Sequence, residues 1–376
     1  MNLFARTDRS ILGRWWWTVD HWTLGAVLGL LVIGIVLIGS GSVGVSNTIG
    51  LDPFHFLGRH LLYAPVALGV LLAASLLTPR DVRLAAVGLY AVTLLLLAAV
   101  LVFGEEAKGA RRWIGLFGFT LQPSEFMKPV LAVLSAWLFV QFQATRQWLY
   151  MGLNLLAVGL ALVLIASQPD IGMAVVIAAV WGVQFFLAGM PLVVTGVLGG
   201  LGAAGLGLAY MLLPHVQSRI DRFLNPEEGD TYQVDMSLAA FREGGWFGVG
   251  PGNGDLKHVL PDAHSDFILA VAAEEFGAIL CLLLVGLIAV VLARGFSRVL
   301  AVRSPFVALA AAGLLASFAL QSLINMASTL ALIPAKGMTL PFISYGGSSM
   351  LAVALVIGFL LALTRRRIGH EPEDEI

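Results

Sequence analysis

Charged residues are scarce in this sequence, and their scarcity decides the class of protein. Asp, Glu, Lys and Arg together make up 12% of the 376 residues, whereas hydrophobic residues make up 59%. A soluble domain usually devotes about a quarter of its residues to charge. The composition therefore excludes an ordinary soluble protein and predicts a polytopic membrane protein. The formal net charge is −1, so the electrostatics suggest no nucleic-acid partner.

Cysteine is almost absent as well. Cys281 is the only one, so the chain can form no internal disulfide and no cysteine-rich metal site. We interpret Cys281 as a small apolar core residue. We also expect no cleavable signal peptide, because residues 1–21 place three arginines and a run of three tryptophans before a first apolar segment of full spanning length. This pattern is typical of a cytoplasmic segment with an interfacial anchor.

Long hydrophobic runs dominate the rest of the sequence. Ten segments approach or exceed the length of about 20 residues that a membrane-crossing helix needs. They predict an all-α polytopic membrane protein with about ten transmembrane helices, which forms a single integral membrane domain over residues 1–376. The segments are residues 22–40, 58–77, 83–103, 124–143, 148–166, 171–189, 191–213, 265–293, 304–330 and 345–364.

The distribution of basic residues predicts the orientation, because ten spans place both termini on one side. With the N-terminus inside, 12 of the 22 basic residues fall on inside segments, nine fall outside, and Lys128 lies within a span. Four of the nine belong to one long loop, residues 214–264, and long loops carry little weight in the positive-inside rule. We therefore predict that both termini are cytoplasmic, with a tail at residues 365–376 and one long extracytoplasmic loop between helices 7 and 8.

The basic residues on the outer side need an explanation of their own. They cluster at KGARRW (108–113), within the loop 214–264 and at PAKGMTLP (334–341). One interpretation is contact with lipid headgroups, and the other is the binding of an anionic ligand. Composition favours neither interpretation, so the individual motifs must decide between them.

The stretch LPDAHSDFILAVAAEE (260–275) places ionisable groups at the start of an apolar run. We predict that a helix begins here, with Ser265 as its cap and Asp266 in its first turn. The helix dipole would keep the Asp266 carboxylate ionised, as a base or a cation ligand. The alternative is that Asp266 is only a helix-start residue. Glu274 and Glu275 lie deeper, and we expect Glu274 to line the same cavity or to pair with a cation there.

Two other stretches interrupt apolar sequence in the same way. In RRWIGLFGFTLQPSEFMK (111–128), Glu125 and Lys128 are three residues apart and would share one face of a helix. They either pair with each other, or the lysine binds a phosphate. In SQPDIG (167–172), Asp170 is expected to cap the following helix.

A fourth interruption, PAKGMTLPFISYGGSS (334–349), contains two prolines, three glycines and one lysine. Irregular backbone at membrane depth is tolerated only where protein covers it or where it lines a cavity. We therefore predict that this stretch forms a cavity wall, with Lys336 as an anion ligand.

The stretch FREGGWFGVGPGNG (241–254) is rich in glycine. It follows no predicted strand and lacks the lysine that follows a phosphate-binding loop, so we expect no nucleotide site there. We interpret the next charged residues, Asp255 and Lys257, as loop charges.

Six segments between residues 111 and 349 closely resemble, in this order, the SEDS family (shape, elongation, division and sporulation) of cell-wall polymerases. They are RRWIGLFGFTLQPSEFMK, SQPDIG, the Tyr232-Gln233…Ser237 pattern, GGWFGVGPGNG, LPDAHSDFILAVAAEEFG and PAKGMTLPFISYGGSS. The N-terminal RTDRSILGRWWWTVD and the lysine of KGMTLP are similar to the cell-division branch of that family, whereas the elongation branch tends to lack this lysine. One departure is FILAVAA after Asp266, in place of the more usual FIFAV, and it is conservative.

The resemblance implies a ten-helix membrane glycosyltransferase that polymerises lipid II into septal peptidoglycan. The 4-hydroxyl of the acceptor sugar would attack C1 of the lipid-linked donor sugar, undecaprenyl pyrophosphate would leave, and a β-1,4 bond would form with inversion. Asp266 matches the essential aspartate of the family and is the expected catalytic residue.

The resemblance also implies a set of binding residues. A divalent cation, Mg²⁺ or Mn²⁺, is expected from the resemblance alone, with Asp266 and Glu125 as its ligands. The expected substrate-binding residues are Arg111, Arg112, Trp113, Glu125, Lys128, Asp170, Gln233, Ser237, His264, Lys336 and Ser344.

The resemblance further implies a place and partners: the division septum of the bacterial cytoplasmic membrane, with lipid II, a class B penicillin-binding protein and other division membrane proteins. Two alternative functions stay open. A lipid II flippase would use the same lipid and cavity, although the spans show no pair of matching interrupted segments in two related halves. A non-catalytic scaffold that recruits the transpeptidase would tolerate replacement of Asp266.

Overall fold

The computed structural model describes residues 10–48, 50–107, 110–116, 118–225 and 231–365. The first nine residues of the predicted N-terminal segment lie outside this range. So does the predicted cytoplasmic tail, apart from Arg365.

Fourteen helices occur within the described residues, and nine of them are long and apolar enough to cross a membrane. The chain is therefore an all-α, multi-pass membrane protein. The first seven helices are α1 (Ile11–Thr18), α2 (His21–Thr48), α3 (His55–Leu76), α4 (Pro79–Phe103), α5 (Pro123–Thr145), α6 (Trp148–Ser167) and α7 (Ile171–Leu187). The others are α8 (Leu192–Leu212), α9 (Pro214–Leu224), α10 (Tyr232–Gly244), α11 (Leu256–Val259), α12 (Ile268–Leu300), α13 (Pro305–Thr329) and α14 (Gly347–Thr364).

The predicted spans all correspond to helices. The nine helices of spanning length are α2 to α6, α8 and α12 to α14. The tenth predicted span, residues 171–189, forms α7, which is apolar but has only 17 residues. This helix packs against α5, α6 and α13 inside the bundle.

Local sequence sets several helix starts. The Thr78 hydroxyl accepts a hydrogen bond from the Asp81 N–H at 3.1 Å, and the Asp81 carboxylate accepts one from the Thr78 N–H at 3.1 Å. This reciprocal capping box begins α4. Asp170 caps α7 as predicted, because its Oδ1 accepts the Met173 N–H at 3.2 Å. Pro123 occupies the first turn of α5, where its missing N–H is not needed.

The centre of the bundle is formed by α5, α13 and α14, and α14 also packs along α3. Small residues allow this close approach: a Cβ at Gly358 would lie 2.6 Å from the Ala74 Cβ and 2.9 Å from the Leu71 carbonyl oxygen. By contrast, none of the residues of α8 is buried against the rest of the described chain. The core therefore depends little on α8.

A small antiparallel sheet between α4 and α5 was not predicted. Its strands are β1 (Glu105–Ala107), β2 (Ala110–Leu116) and β3 (Phe119–Leu121), in the order β1-β2-β3. Successive side chains of a strand point to opposite faces, so Arg111 and Arg112 of β2 diverge. Arg111 lies 3.5 Å from the Glu106 carboxylate, measured from Nε to Oε2. The sheet thereby fixes Arg112, which faces the other way.

The predicted long loop, residues 214–264, is largely helical. It contains α9, α10 and α11, and α10 packs against α12. These helices have 11, 13 and 4 residues. They are too short and too polar to be recognised from apolar runs of membrane-spanning length, so the sequence pattern is that of one long loop.

The helix after Asp266 begins later than predicted. Because α12 starts at Ile268, Ser265 does not cap it and Asp266 lies before its first turn. The cause is Asp262, which has a left-handed backbone with φ 56°. The Asp262 carbonyl accepts hydrogen bonds from the N–H groups of Ser265, Asp266 and Phe267 at 3.0, 3.1 and 3.3 Å. An irregular turn thus carries Asp266, and the prediction of a first-turn aspartate was wrong.

The helix α12 is broken at Gly277, nine residues after its start. Gly277 has φ 74° and ψ −174°, a conformation that glycine adopts readily. The glycine-rich loop 244–254 lies against the break and supplies partners for its free backbone groups, as buried backbone requires. Val249 and Gly250 donate to the carbonyls of Glu274 and Glu275 at 2.9 and 3.0 Å, and Ala278 and Ile279 donate to those of Gly245 and Trp246 at 2.9 and 3.3 Å.

Candidate functional site

A cavity of about 890 Å³ lies at one end of the bundle. Its walls come from β2, the starts of α5 and α7, the helices α9 and α10, residues 262–267 and residues 331–349. Sites for small molecules usually measure about 300–1,000 Å³. Arg111, Lys128, Ser237 and Ser344 lie outside its lining. The other eight predicted site residues line it: Arg112, Trp113, Glu125, Asp170, Gln233, His264, Asp266 and Lys336.

Asp266 is held in this cavity through its main chain. Its carbonyl accepts a hydrogen bond from Asn325 Nδ2 at 2.9 Å, and the Thr329 hydroxyl lies 3.5 Å from the same oxygen. Both partners belong to α13. The Asp266 carboxylate lies against Gly337, where a Cβ would be 3.0 Å from Oδ2. The main chain is therefore anchored in the core, whereas the carboxylate borders the cavity.

Arg112 is fixed by the turn between α6 and α7. Its Nη2 donates to the Pro169 carbonyl at 2.6 Å and its Nε to the Gln168 carbonyl at 3.3 Å. The same Nε lies 3.8 Å from Asp170 Oδ2. Asp170 also caps α7, so this arginine and this carboxylate form one rigid edge of the cavity.

Lys336 lies between α13 and α14, outside the spanning helices. Its side chain crosses the first turn of α7, and a Cβ at Gly172 would lie only 2.7 Å from Lys336 Cδ. Burial lowers the pKa of Lys336 to about 7, and the nearby Asp170 opposes this shift. The Lys336 side chain therefore loses its proton far more readily than an ordinary lysine does.

We expect Lys336 to titrate near pH 7 in the free protein. The chain has four lysines, so methylation with ¹³C-formaldehyde gives few NMR signals, and the Lys336→Arg variant identifies the relevant one. Inorganic pyrophosphate in the cavity favours the charged form and is expected to raise the pKa by about 1 or more. A titration near the ordinary lysine value of 10.5 would contradict the buried environment.

Glu125 and Lys128 form the ion pair that their spacing predicts, with 2.8 Å between Nζ and Oε2. Lys128 also donates to Gln321 Oε1 of α13 at 2.6 Å. Both charged residues are buried, and only Glu125 reaches the cavity. The role of Lys128 as a phosphate ligand stays a prediction.

His264 belongs to an aromatic group beside Asp266. Its ring lies 4.2 Å from the ring of Phe56 and 5.4 Å from that of Tyr345, between ring centres. The His264 carbonyl also accepts the Tyr345 N–H at 2.9 Å. His264 therefore joins α3 and the wall 331–349 to the turn that carries Asp266.

Ser237 and Ser344 are both buried away from the cavity. The Ser237 hydroxyl donates to the Thr329 carbonyl at 2.7 Å and ties α10 to the end of α13. The Ser344 hydroxyl accepts the Leu340 N–H at 2.8 Å and closes a turn. Both hydroxyls hold backbone in place, and their predicted role in substrate binding is untested.

Two cavity residues, Arg219 and Arg222 of α9, were missed because they were counted with the long loop. A helix that starts at Pro214 would place these two arginines, three residues apart, on a shared face. That pattern could have found them. Charges of both signs therefore line the cavity: Arg112, Arg219, Arg222 and Lys336 on one hand, and Glu125, Asp170, Asp235, Asp262 and Asp266 on the other.

Of the two predicted ligands of the divalent cation, Asp266 is suitably placed and Glu125 is less so. In the part of the chain that the structure describes, no group of three or more His, Cys, Asp or Glu side chains is arranged to hold a metal ion. However, Mg²⁺ is usually bound through one or two carboxylates together with substrate phosphates and water. Asp266 fits that arrangement. Glu125 fits it less well, because Lys128 already occupies its Oε2.

Comparison with protein families gives one match that covers most of the chain. Residues 21–368 match the model of the FtsW/RodA/SpoVE family, described as cell cycle proteins. The chain belongs to this family. The match includes the walls of the cavity and all the predicted site residues, and it agrees with the resemblance found in the sequence.

Relatives within the FtsW/RodA/SpoVE family are similar over nearly their whole length. The probable peptidoglycan glycosyltransferase FtsW of Caulobacter vibrioides is 46% identical over 369 residues, which cover 98% of this chain and 95% of the relative. The protein of the same name from Coxiella burnetii is 38% identical, with 95% of this chain and 98% of the relative covered.

Solved structures share the fold. A chain of a peptidoglycan synthase complex, described as coordinating polymerization and crosslinking, matches with a TM-score of 0.76 and 29% identity over 92% of this chain and 97% of that one. RodA of Thermus thermophilus matches with a TM-score of 0.65 and 28% identity over 93% and 97%.

Proposed function

We propose that this chain is a peptidoglycan glycosyltransferase that polymerises lipid II into glycan strands during cell division. The observation that carries the proposal is the position of Asp266. Its main chain is anchored, and it borders a large cavity whose lining includes three arginines and a lysine. The reaction class is supported by the relatives from Caulobacter vibrioides and Coxiella burnetii, both of them probable peptidoglycan glycosyltransferases.

Asp266 is the base of this reaction. A sugar hydroxyl is a poor nucleophile, and a positioned carboxylate can take its proton as the new bond forms. The 4-hydroxyl oxygen of the acceptor bonds to C1 of the donor sugar, and its proton passes to Asp266. The electron pair of the broken C1–O bond leaves with undecaprenyl pyrophosphate. Attack opposite to the leaving group inverts C1 and gives the β-1,4 bond.

The cations of the cavity stabilise the leaving group. Negative charge accumulates on the pyrophosphate as the C1–O bond breaks, and fixed cations in a water-poor site stabilise it most effectively. Arg112 is held in place by two carbonyls, and Lys336 regains its full charge beside an anion. Mg²⁺ or Mn²⁺ held by Asp266 would add Lewis-acid stabilisation of the same charge.

The proposal includes a location and partners. Both termini would lie in the cytoplasm of a bacterium, so that the cavity opens on the outer side of the cytoplasmic membrane, where the sugars of lipid II are polymerised. The matching peptidoglycan synthase complex supports a transpeptidase partner, a class B penicillin-binding protein. Membership of a cell cycle family supports action at the division septum together with other division proteins.

The test uses purified full-length protein in lipid bilayers, with and without the cognate transpeptidase, given fluorescent lipid II and Mg²⁺. Glycan products are separated by length on a gel. Long strands that depend on the protein support the proposal. Movement of lipid II across liposomes without any polymer would favour a flippase instead, and neither activity would favour a scaffold.

Gly337→Ala is expected to lower the polymerisation rate about tenfold, because its Cβ would displace the Asp266 carboxylate by a few tenths of an ångström or more. The backbone at Gly337 has φ 69°, so the alanine also adds strain of about 1–2 kcal/mol. The measurement is the initial rate of glycan formation, together with the melting temperature.

Gly189→Ala is the matched control for this variant. Gly189 lies between α7 and α8 and has φ 69°, the same as Gly337, and nothing lies within 4 Å of a Cβ built there. The control therefore carries the same kind of backbone strain without contact to Asp266. If both variants lose the same fraction of the polymerisation rate, contact with the carboxylate is not the cause.

A further inference from the structure

A buried ion pair joins two segments on either side of Asp266. Lys257 of α11 donates to the Glu275 carboxylate of α12, and their side chains are 3% and 0% exposed. The Lys257 ammonium also lies 3.0 Å from the Ser40 hydroxyl of α2, which donates to the same carboxylate. The interpretation of Lys257 as a solvated loop charge was therefore wrong, and the glutamate that pairs with a cation is Glu275.

Glu274 also links α11 to α12. Its two carboxylate oxygens accept hydrogen bonds from the Leu256 N–H at 2.7 Å and the Lys257 N–H at 3.1 Å. A Cβ at Gly254 would lie 2.6 Å from the Glu274 carboxylate carbon, so the glycine permits this approach. Neither Glu274 nor Glu275 lines the cavity, and the expectation that Glu274 lines it was wrong because both of its carboxylate oxygens accept backbone N–H groups. These buried charges therefore need an explanation other than contact with the cavity.

The two residues of the ion pair lie at equal distances from Asp266 in the sequence. Lys257 lies nine residues before it and Glu275 nine residues after it. The ion pair thus closes a loop, residues 257–275, with Asp266 at its midpoint. The far side of this loop is held by Asn325, which donates to the Asp266 carbonyl.

The break in α12 explains why the loop needs such a closure. Helix hydrogen bonding is interrupted at Gly277, so the short helical piece 268–276 is not rigidly continuous with the rest of α12. The glycine-rich loop 244–254 and the charges on Glu274 and Glu275 hold this piece instead. Any tilt of the piece about the break would move Asp266.

We propose that the pair of Lys257 and Glu275, together with Glu274, positions Asp266 for catalysis. The inference rests on the proposed function of Asp266 as the base. These residues touch no substrate and act through the loop 257–275, so they are positioning residues. Catalytic groups must be held to within about 0.5 Å of the productive geometry, and a displacement of about 1 Å can lower a rate about 100-fold.

The decisive variant removes both charges together. Replacing one partner alone leaves an unpaired buried charge and destabilises the fold, whereas removing both partners is often neutral. We therefore choose Lys257→Met with Glu275→Gln. The control is the triple variant Asp20→Asn, Arg294→Gln and Arg298→Gln. It removes the whole ion-paired group at the opposite end of the same helix, in which Asp20 lies 2.7 Å from Arg294 and 3.3 Å from Arg298.

Three quantities are measured on folded protein in bilayers: kcat, the KM for lipid II, and amide hydrogen exchange over residues 258–267. We expect the Lys257/Glu275 double variant to lower kcat about 10- to 100-fold, to keep KM within about twofold, and to exchange faster at these amides. The Asp20/Arg294/Arg298 control is expected to change none of the three.

A kcat within twofold of the wild type would overturn the positioning role. If the ion pair only stabilised the fold, its removal would leave the kcat of the folded protein unchanged. Unchanged exchange over residues 258–267 would overturn it as well, whatever the activity. The exchange measurement needs no turnover. If the wild type makes no glycan, the proposed function fails on its own, and exchange still decides the positioning role.

Discussion

Asp266→Asn is expected to abolish glycan formation while the protein stays folded and still binds lipid II. The carboxamide has nearly the size of the carboxylate but cannot take a proton from the acceptor hydroxyl. Loss of a general base costs about 10²–10⁴-fold in rate, and that loss should appear in kcat. The measurement is the initial rate of polymerisation of fluorescent lipid II, with the affinity for lipid II measured separately.

Asp262→Asn is the matched control, since Asp262 lines the same cavity only four residues away. Asp262 holds Asp266 through its main-chain carbonyl, which asparagine retains, and asparagine tolerates the left-handed backbone at this position. The control should lose far less activity than Asp266→Asn. Equal losses would point to the total charge of the cavity, and full activity of Asp266→Asn would remove Asp266 from the mechanism and leave the scaffold as the better explanation.

The spanning helices could be predicted because burial in lipid demands long apolar runs, and these are visible residue by residue. The segment 214–264 could not be resolved in the same way. Its helices are amphipathic or polar, and α10 is stabilised by packing against α12, a tertiary contact that leaves no regular pattern. The small sheet at residues 105–121 escaped notice because two of its three strands have only three residues.

Polar residues within apolar sequence predicted which segments form the cavity, but they did not predict which side-chain atoms face it. Lys336 and Asp170 were predicted from polar interruptions of apolar sequence, and both line the cavity. Ser237 belongs to an equally specific pattern, yet its hydroxyl donates a hydrogen bond to the Thr329 carbonyl. A hydroxyl in a motif can bind substrate or hold backbone, and the choice depends on neighbours that are distant in sequence.

The start of α12 was misplaced for a related reason. A serine and an aspartate before an apolar run are typical of a helix start, and the sequence offers no sign that Asp262 adopts a left-handed backbone. Lys257 was misjudged because the surrounding GNGDLKH reads as a solvated loop. Its partner Glu275 lies 18 residues further on, close to the break at Gly277, and the sequence pattern does not show that the two residues meet.

Lys336→Met is expected to lower kcat/KM for lipid II about 10- to 150-fold at pH 6, where the wild-type lysine is protonated. A hydrogen bond to a charged group contributes about 1.5–3 kcal/mol, which corresponds to that range of rates. Methionine keeps the unbranched stem that crosses Gly172, so the packing against α7 is preserved. Lys336→Arg keeps the charge and should retain most of the activity.

The pH dependence separates charge from packing at Lys336. Because kcat/KM reports groups of the free enzyme, the pKa of about 7 predicts that wild-type kcat/KM falls as the pH rises through 7 and the ammonium loses its proton. The wild type should then approach the level of Lys336→Met at high pH, whereas Lys336→Arg, which stays protonated, should show no such fall. If the ratio of wild type to Lys336→Met is the same at pH 6 and pH 9, Lys336 does not act through its charge, and the anion site must rest on the arginines alone.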